Sequence, residues 1–226
     1  YGTDNGAETF TWPDGGTTMF RCEKNTQWEG GYRVPTLIKW PGVVKPGTVV
    51  NDIGAHEDML TTLVAAAGDK TAKADLLKGR SIAGKSYKVH LDGYDLGPAL
   101  KGEAAWPRKE FIYWTDDGSV AALRYENMKV TFLEQEAEGL HVWQKPFTEL
   151  RAPKLTNLRM DPFERAEQEN AMGYQRWYME RMFAIAPAGA YVGNCLQSFR
   201  DFPPRQKPGS FNLDRVMEAV TRPQKN

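Results

Sequence analysis

Phe111-Ile112-Tyr113-Trp114, Asp116-Asp117-Gly118, Val120-Ala121-Ala122-Leu123-Arg124-Tyr125, Glu126-Asn127 and Met128-Lys129-Val130-Thr131-Phe132-Leu133 follow one another almost without a break. The first, third and fifth pieces are short runs carrying β-branched and aromatic side chains, which suit strands. The second and fourth are turn residues. Strands joined by such short turns form consecutive hairpins, an antiparallel meander. Residues 154–158 supply a candidate fourth strand.

Downstream, Asp161 is placed to cap a helix with Pro162 at its first position. Tyr174, Trp177, Tyr178, Arg181, Met182 and Ile185 recur at helical spacing and read as a packing face. A further short helix would carry Val192, Cys195, Leu196 and Phe199, with Pro203-Pro204 ending it, and Asn212 would cap a last helix through Val220. The charge-rich stretches 134–138 and 164–169 read as solvated faces. Upstream, Trp106-Pro107-Arg108-Lys109 marks a boundary, and residues 69–106 are loop-rich, with at most a single turn at 94–100. Residues 58–67 predict a helix whose face is Met59, Leu60, Leu63, Val64 and Ala67, with Gly68 at its C-terminal cap. Residues 34–40 are mostly apolar, stop at Pro41-Gly42, and predict a strand buried on both faces, as in an α/β sheet. Residues 1–31 are polar and Gly-rich with little periodicity, and long irregular stretches tend to carry function. The fold class is α/β: residues 1–106 as the end of a large mixed-sheet domain, residues 107–226 as a smaller α+β subdomain with an antiparallel sheet.

Hydrophobic residues make up 41% of the 226, a globular composition. Lys plus Arg equals Asp plus Glu at 29 each, which argues against a nucleic-acid or membrane-surface partner and makes any anion site a local one. No apolar run approaches the ~20 residues of a membrane span. Cys22 and Cys195 allow one disulfide at most and do not identify a compartment. The opening Tyr1-Gly2-Thr3 reads as the last residues of a strand entering a loop, so the chain is expected to be part of something longer.

That loop is Asp4-Asn5-Gly6. A carboxylate beside an amide oxygen offers two hard ligands suited to Ca²⁺ or Mg²⁺, although the same tripeptide also makes an ordinary Asx turn. Lys24 follows, then Trp28-Glu29-Gly30-Gly31-Tyr32-Arg33-Val34-Pro35. The glycine pair permits close chain approach. Lys24 offers a point charge to an oxyanion, and Arg33 an ion pair supporting the Gly-Gly loop. Asp-Asn-Gly, a lysine, Trp-Glu-Gly-Gly-Tyr-Arg-Val-Pro and a segment ending Trp40-Pro41-Gly42, in that order, resemble the C-terminal part of sulfatases. The resemblance continues through His56-Glu57-Asp58-Met59-Leu60, Leu91-Asp92-Gly93-Tyr94-Asp95-Leu96 and Asn157-Leu158-Arg159-Met160-Asp161-Pro162-Phe163-Glu164. It is strongest for bacterial arylsulfatase-like members of the alkaline-phosphatase-like superfamily.

The resemblance implies hydrolysis of sulfate esters, small-molecule or glycan, to alcohol or phenol and inorganic sulfate. It implies that Asp4 and Asn5 are metal ligands, usually to Ca²⁺, that Asn5 also lies near the ester oxygen, and that Lys24 is a catalytic, substrate-binding residue on the sulfate group. A periplasmic or secreted location is implied in the same way. The family nucleophile is a formylglycine made in a Cys/Ser-x-Pro-x-Arg motif. Cys22 precedes Glu-Lys-Asn-Thr and Cys195 precedes Leu-Gln-Ser-Phe-Arg, so neither fits. The family's early Asp-Asp pair and mid-chain His and Lys have no counterpart either, and His56, His90 and His141 match none of them. The chain alone is therefore expected to be inactive and to bind Ca²⁺ weakly, with the missing N-terminal part as its partner. Two other readings remain: a phosphonate or phosphate-ester hydrolase of the same superfamily, and a non-catalytic fragment that forms homo-oligomers.

Overall fold

A computed structural model describes residues 1–11, 16–168, 172–204 and 209–210. The first element, α1 (Glu29–Tyr32), is a single turn. The segment expected as a doubly buried strand, 34–40, is extended but exposed: Leu37 keeps 68% of its surface. Among the described residues its backbone pairs only with residues 1–3, through a Gly2–Thr36 bridge and paired bonds between Tyr1 and Leu37. A single bridge cannot bury an apolar run on two faces. Among the described residues the strand pairing of this segment stops at that bridge, and the chain combines helices with antiparallel sheets, the expected α/β class.

Helix α2 (His56–Ala66) lies where the periodicity puts a helix, with Gly68 at φ 104° just past its end. Its buried residues are Asp58, Thr62 and Ala65, whereas Leu60 and Leu63 of the expected packing face are exposed. The reason is polar. The Asp58 carboxylate reaches back to the Ala55 N–H (2.9 Å) and takes two bonds from Arg108 (2.8 and 2.6 Å), while Thr62 accepts from the Leu96 N–H (2.9 Å). These bonds orient the helix more firmly than a weakly apolar stripe does. The loop-rich stretch contains more structure than its composition suggests: α3 (Ala72–Lys78), the hairpin β1 (Arg80–Ile82) and β2 (Lys85–Tyr87), and α4 (Gly97–Lys101).

The meander forms as expected. Strands β3 (Glu110–Trp114), β4 (Val120–Tyr125), β5 (Met128–Glu134) and β6 (Thr148–Asn157) pair antiparallel in sequence order. Between β5 and β6 a 3₁₀ turn spans Gly139–Trp143. The register sets Leu123 against Val130 and Val130 against Leu155. These three face α5 (Met172–Arg181) and α6 (Ile185–Asp201), where Ala188, Val192, Trp177, Tyr178 and Ile185 complete an apolar core. The aromatic helix is thus a packing face. Alternation along each strand sends Tyr113, Lys129 and Thr131 to the opposite face, which is buried as well.

Asp161 does not start a helix. Its carboxylate accepts from the Arg165 and Ala166 N–H groups within a run of turns, and Glu164 sits at φ 52°, which no helix tolerates. The stretches 134–138 and 164–169 are not simple solvated faces: Glu134 and Glu164 are buried. Cys22 and Cys195 are both free. The helix expected from Asn212 lies outside the described residues. Among the described residues no helix is long and apolar enough to cross a membrane.

Candidate functional site

The polar face of the sheet carries the wall on which the N-terminal loops rest. Glu29, almost fully buried, accepts from Tyr113 Oη (2.5 Å), Lys129 Nζ (3.2 Å) and Arg33 Nε (2.6 Å). Lys129 is wholly buried and also donates to Glu164 (2.8 Å) and to the Gln27 carbonyl (2.7 Å). Glu164 returns a bond by accepting from the Glu29 N–H (2.7 Å). Burial alone would raise the Glu29 carboxyl, but Lys129, Tyr113 and Arg33 outweigh it and hold the group at about 2. Glu164 has fewer donors. Burial dominates there, and its carboxyl is pushed up despite the same ammonium. One buried cation thus ties three segments together: the Trp28–Tyr32 turn, strand β5 and the 161–164 turn.

Gly30 and Gly31 fit where nothing larger does. A Cβ on Gly30 would lie 2.2 Å from the Cys22 carbonyl oxygen, and one on Gly31 2.5 Å from that of Glu23. Gly6 is held in the same knot. Its N–H donates to the Gly31 carbonyl (2.9 Å), and a Cβ there would stand 1.9 Å from the Gly30 oxygen. The Lys24 N–H donates to the Ala7 carbonyl (2.9 Å). Gly6-Ala7, directly after Asp4-Asn5, is therefore stitched to the Gly-Gly turn and to the Lys24 loop, one bond to each. Cys22 and Asn25, at φ 58° and 64°, bend the loop sharply on either side of Lys24.

Asp4 is exposed and Asn5 half-buried. Among the described residues neither side chain enters a hydrogen bond or ion pair within the chain. Their oxygens suit Ca²⁺ in type. In number they do not, since Ca²⁺ takes six to eight oxygens. Among the described residues no group of three or more His, Cys, Asp or Glu side chains could hold a metal ion. The Lys24 ammonium lies 5.4 Å from the centre of the Trp143 ring. The Cys22 thiol is pushed up to about 11 by burial and is not a thiolate at neutral pH. His56 and His90 lie elsewhere, at the start of α2 and before the 91–96 segment, and His141 lies in the 3₁₀ turn that carries Trp143.

Arg33 does support the Gly-Gly turn, through Glu29. Sequence reasoning missed Lys129, Glu164 and Trp143. Lys129 alternates with valine and phenylalanine in its strand and so reads as solvent-facing. The one signal that could have found it is Glu29 inside the Trp-Glu-Gly-Gly run, a carboxylate that needs a partner if the run is buried.

Residues 1–69, which contain the Asp4-Asn5-Gly6, Lys24 and Gly30-Gly31 loops, match the family model for Sulfatase. Arylsulfatase A of Homo sapiens is 32% identical over 173 residues, 71% of this chain and 31% of that protein. N-acetylgalactosamine-6-sulfatase of Homo sapiens is 41% identical over 123 residues, 54% of this chain and 21% of that protein. The chain thus spans about a third or less of the curated relatives it matches. The fold of the PsFucS1 sulfatase from Pseudoalteromonas sp. superimposes with a TM-score of 0.70 at 23% identity, covering 91% of this chain and 38% of that one. The stitched loops fall inside the matched region, and the meander with its helices has a counterpart in a solved sulfatase. The chain is a member of the sulfatase family.

Proposed function

We propose that this chain supplies one wall of the active site of a sulfuric ester hydrolase, acting on sulfate esters of small molecules or glycans and yielding an alcohol or phenol and inorganic sulfate. The observation that carries this reading is the double stitch of Gly6-Ala7, directly after Asp4-Asn5, to the Lys24–Gly31 region. It brings a free carboxylate, a free amide and a cation onto adjoining loops. Lys24 binds the sulfuryl oxygens and neutralises the charge that grows on them and on the leaving oxygen. Asp4 and Asn5 are two of the ligands of a divalent cation, Ca²⁺ or Mg²⁺, with Asn5 also facing the ester oxygen. Bound there, the cation would polarise the ester and help neutralise its charge. The remaining ligands and the formylglycine nucleophile would come from other parts of the protein, because Cys22 and Cys195 stand in the wrong sequence setting. A periplasmic or secreted setting is part of the same proposal.

The test is hydrolysis by the full-length protein, comparing 4-nitrophenyl sulfate with the matching phosphate and phosphonate. Preference for sulfate, with a loss of about 10²-fold or more in Lys24→Ala, supports the reading. Preference for phosphate or phosphonate would assign the protein to the related hydrolases. Absence of all three activities would leave an oligomer-forming role, checked by sedimentation.

A further inference from the structure

Lys24 is flanked by two residues that bind the same distant segment. Glu23 accepts from the Gly139 N–H (2.7 Å), and Asn25 Nδ2 donates to the Val142 carbonyl (2.7 Å). Gln135 fixes that segment from behind, donating to the Lys145 carbonyl (2.9 Å), and Val142 is buried beneath it. The 3₁₀ turn Gly139–Trp143 is thus clamped to the loop on both sides of Lys24, across more than a hundred residues of sequence. Trp143 ends the turn. Its neighbour Val142 is 1% exposed, yet Trp143 remains 42% exposed, with its ring 5.4 Å from the Lys24 ammonium. Trp28, by contrast, is turned inward and only 2% exposed. Packing therefore anchors the segment through Val142 and leaves the indole beside the cation.

We propose that Trp143 is a specificity-determining residue. Its indole face is the platform for the ring of the alcohol or phenol part of the ester while Lys24 holds the sulfuryl group. The inference rests on the role assigned to Lys24 above. An indole offers a broad apolar face with a negative quadrupole, against which aromatic rings stack and the C–H face of a sugar lies flat. An acyclic alkyl chain presents no such face. The site therefore takes aryl and sugar sulfates over acyclic alkyl sulfates.

Binding can be separated from turnover with stable sulfonates. Calorimetry on the full-length protein would compare phenylmethanesulfonate, hexanesulfonate and inorganic sulfate. The wild-type protein binds phenylmethanesulfonate more tightly than hexanesulfonate. Trp143→Ala weakens phenylmethanesulfonate roughly five- to tenfold and inorganic sulfate less than about twofold, and Trp143→Phe restores most of the difference. Equal affinity of the wild-type protein for the two sulfonates would overturn the assignment, as would an equal loss for all three anions in Trp143→Ala. If the ring preference holds but no sulfate ester is turned over, the proposed activity fails and the platform stands.

Discussion

At the residue scale, the site depends on atoms that are missing as much as on those present. Gly6 has no Cβ, so its loop can lie against Gly30, where an added methyl group would meet a carbonyl oxygen at 1.9 Å. Gly6→Ala is expected to cost about 2–3 kcal/mol or more, read by urea denaturation. Gly189 in α6 has open space around its Cα, and Gly189→Ala should stabilise by about 0.5–1 kcal/mol in the same assay. Glu29 carries a third prediction. Its carboxyl is held at about 2 against an ordinary 4.5, so its contribution is fully present above about pH 4.5 and is lost as pH falls toward 2. Glu164, pushed up by burial, works in the opposite sense: its contribution is present in acid and lost as pH rises through its raised value. Glu29→Gln should therefore flatten the acid-side loss of stability by about 2 kcal/mol by pH 3. Unfolding free energies measured from pH 7 down to pH 3 would check this, and an unchanged slope would contradict it.

At the element scale, helix α2 and the meander show what a sequence can and cannot reveal. The meander was legible because each strand is short, apolar and bounded by Asp-Asp-Gly or Glu-Asn, so local chemistry and long-range pairing agree. The position of α2 was legible too, but its buried face was not. Asp58, Thr62 and Arg108 are ordinary surface residues by type, and their burial is set by distant partners: Arg108 on Asp58, and the Leu96 N–H on Thr62. The same holds for Glu164 and Lys129, whose partnership no periodicity encodes. In the candidate site, Asp4, Asn5, Lys24 and Gly30-Gly31 could be read from their order along the chain. Trp143 could not, because it reaches Lys24 only through the folded 3₁₀ turn. Arg108 gives the prediction at this scale. Its guanidinium is 3% exposed and holds Asp58 through two bonds. Arg108→Leu strands a buried carboxylate and should cost about 3–5 kcal/mol, seen as a lowered urea midpoint.

At the scale of the whole molecule, the proposed site would hold only part of a coordination set and part of a charge-neutralising site. Two oxygen donors cannot replace most of the hydration of Ca²⁺. Calorimetry on the purified 226-residue chain should detect no binding tighter than about millimolar, and 4-nitrophenyl sulfate should stay intact in its presence. The exposed apolar residues Leu37, Val49, Leu60 and Leu63 all belong to its N-terminal half. That half is nevertheless fastened to the meander by the buried Lys129 between Glu29 and Glu164 and by Arg108 on Asp58. The connection between them, residues 102–105, is exposed. The covalent link at that point is therefore expected to be dispensable for holding the pieces together. A protease that nicks between Gly102 and Ala105 should yield two bands on a denaturing gel but a single peak on a sizing column. Co-expressed halves split there should recover one another as a complementing pair.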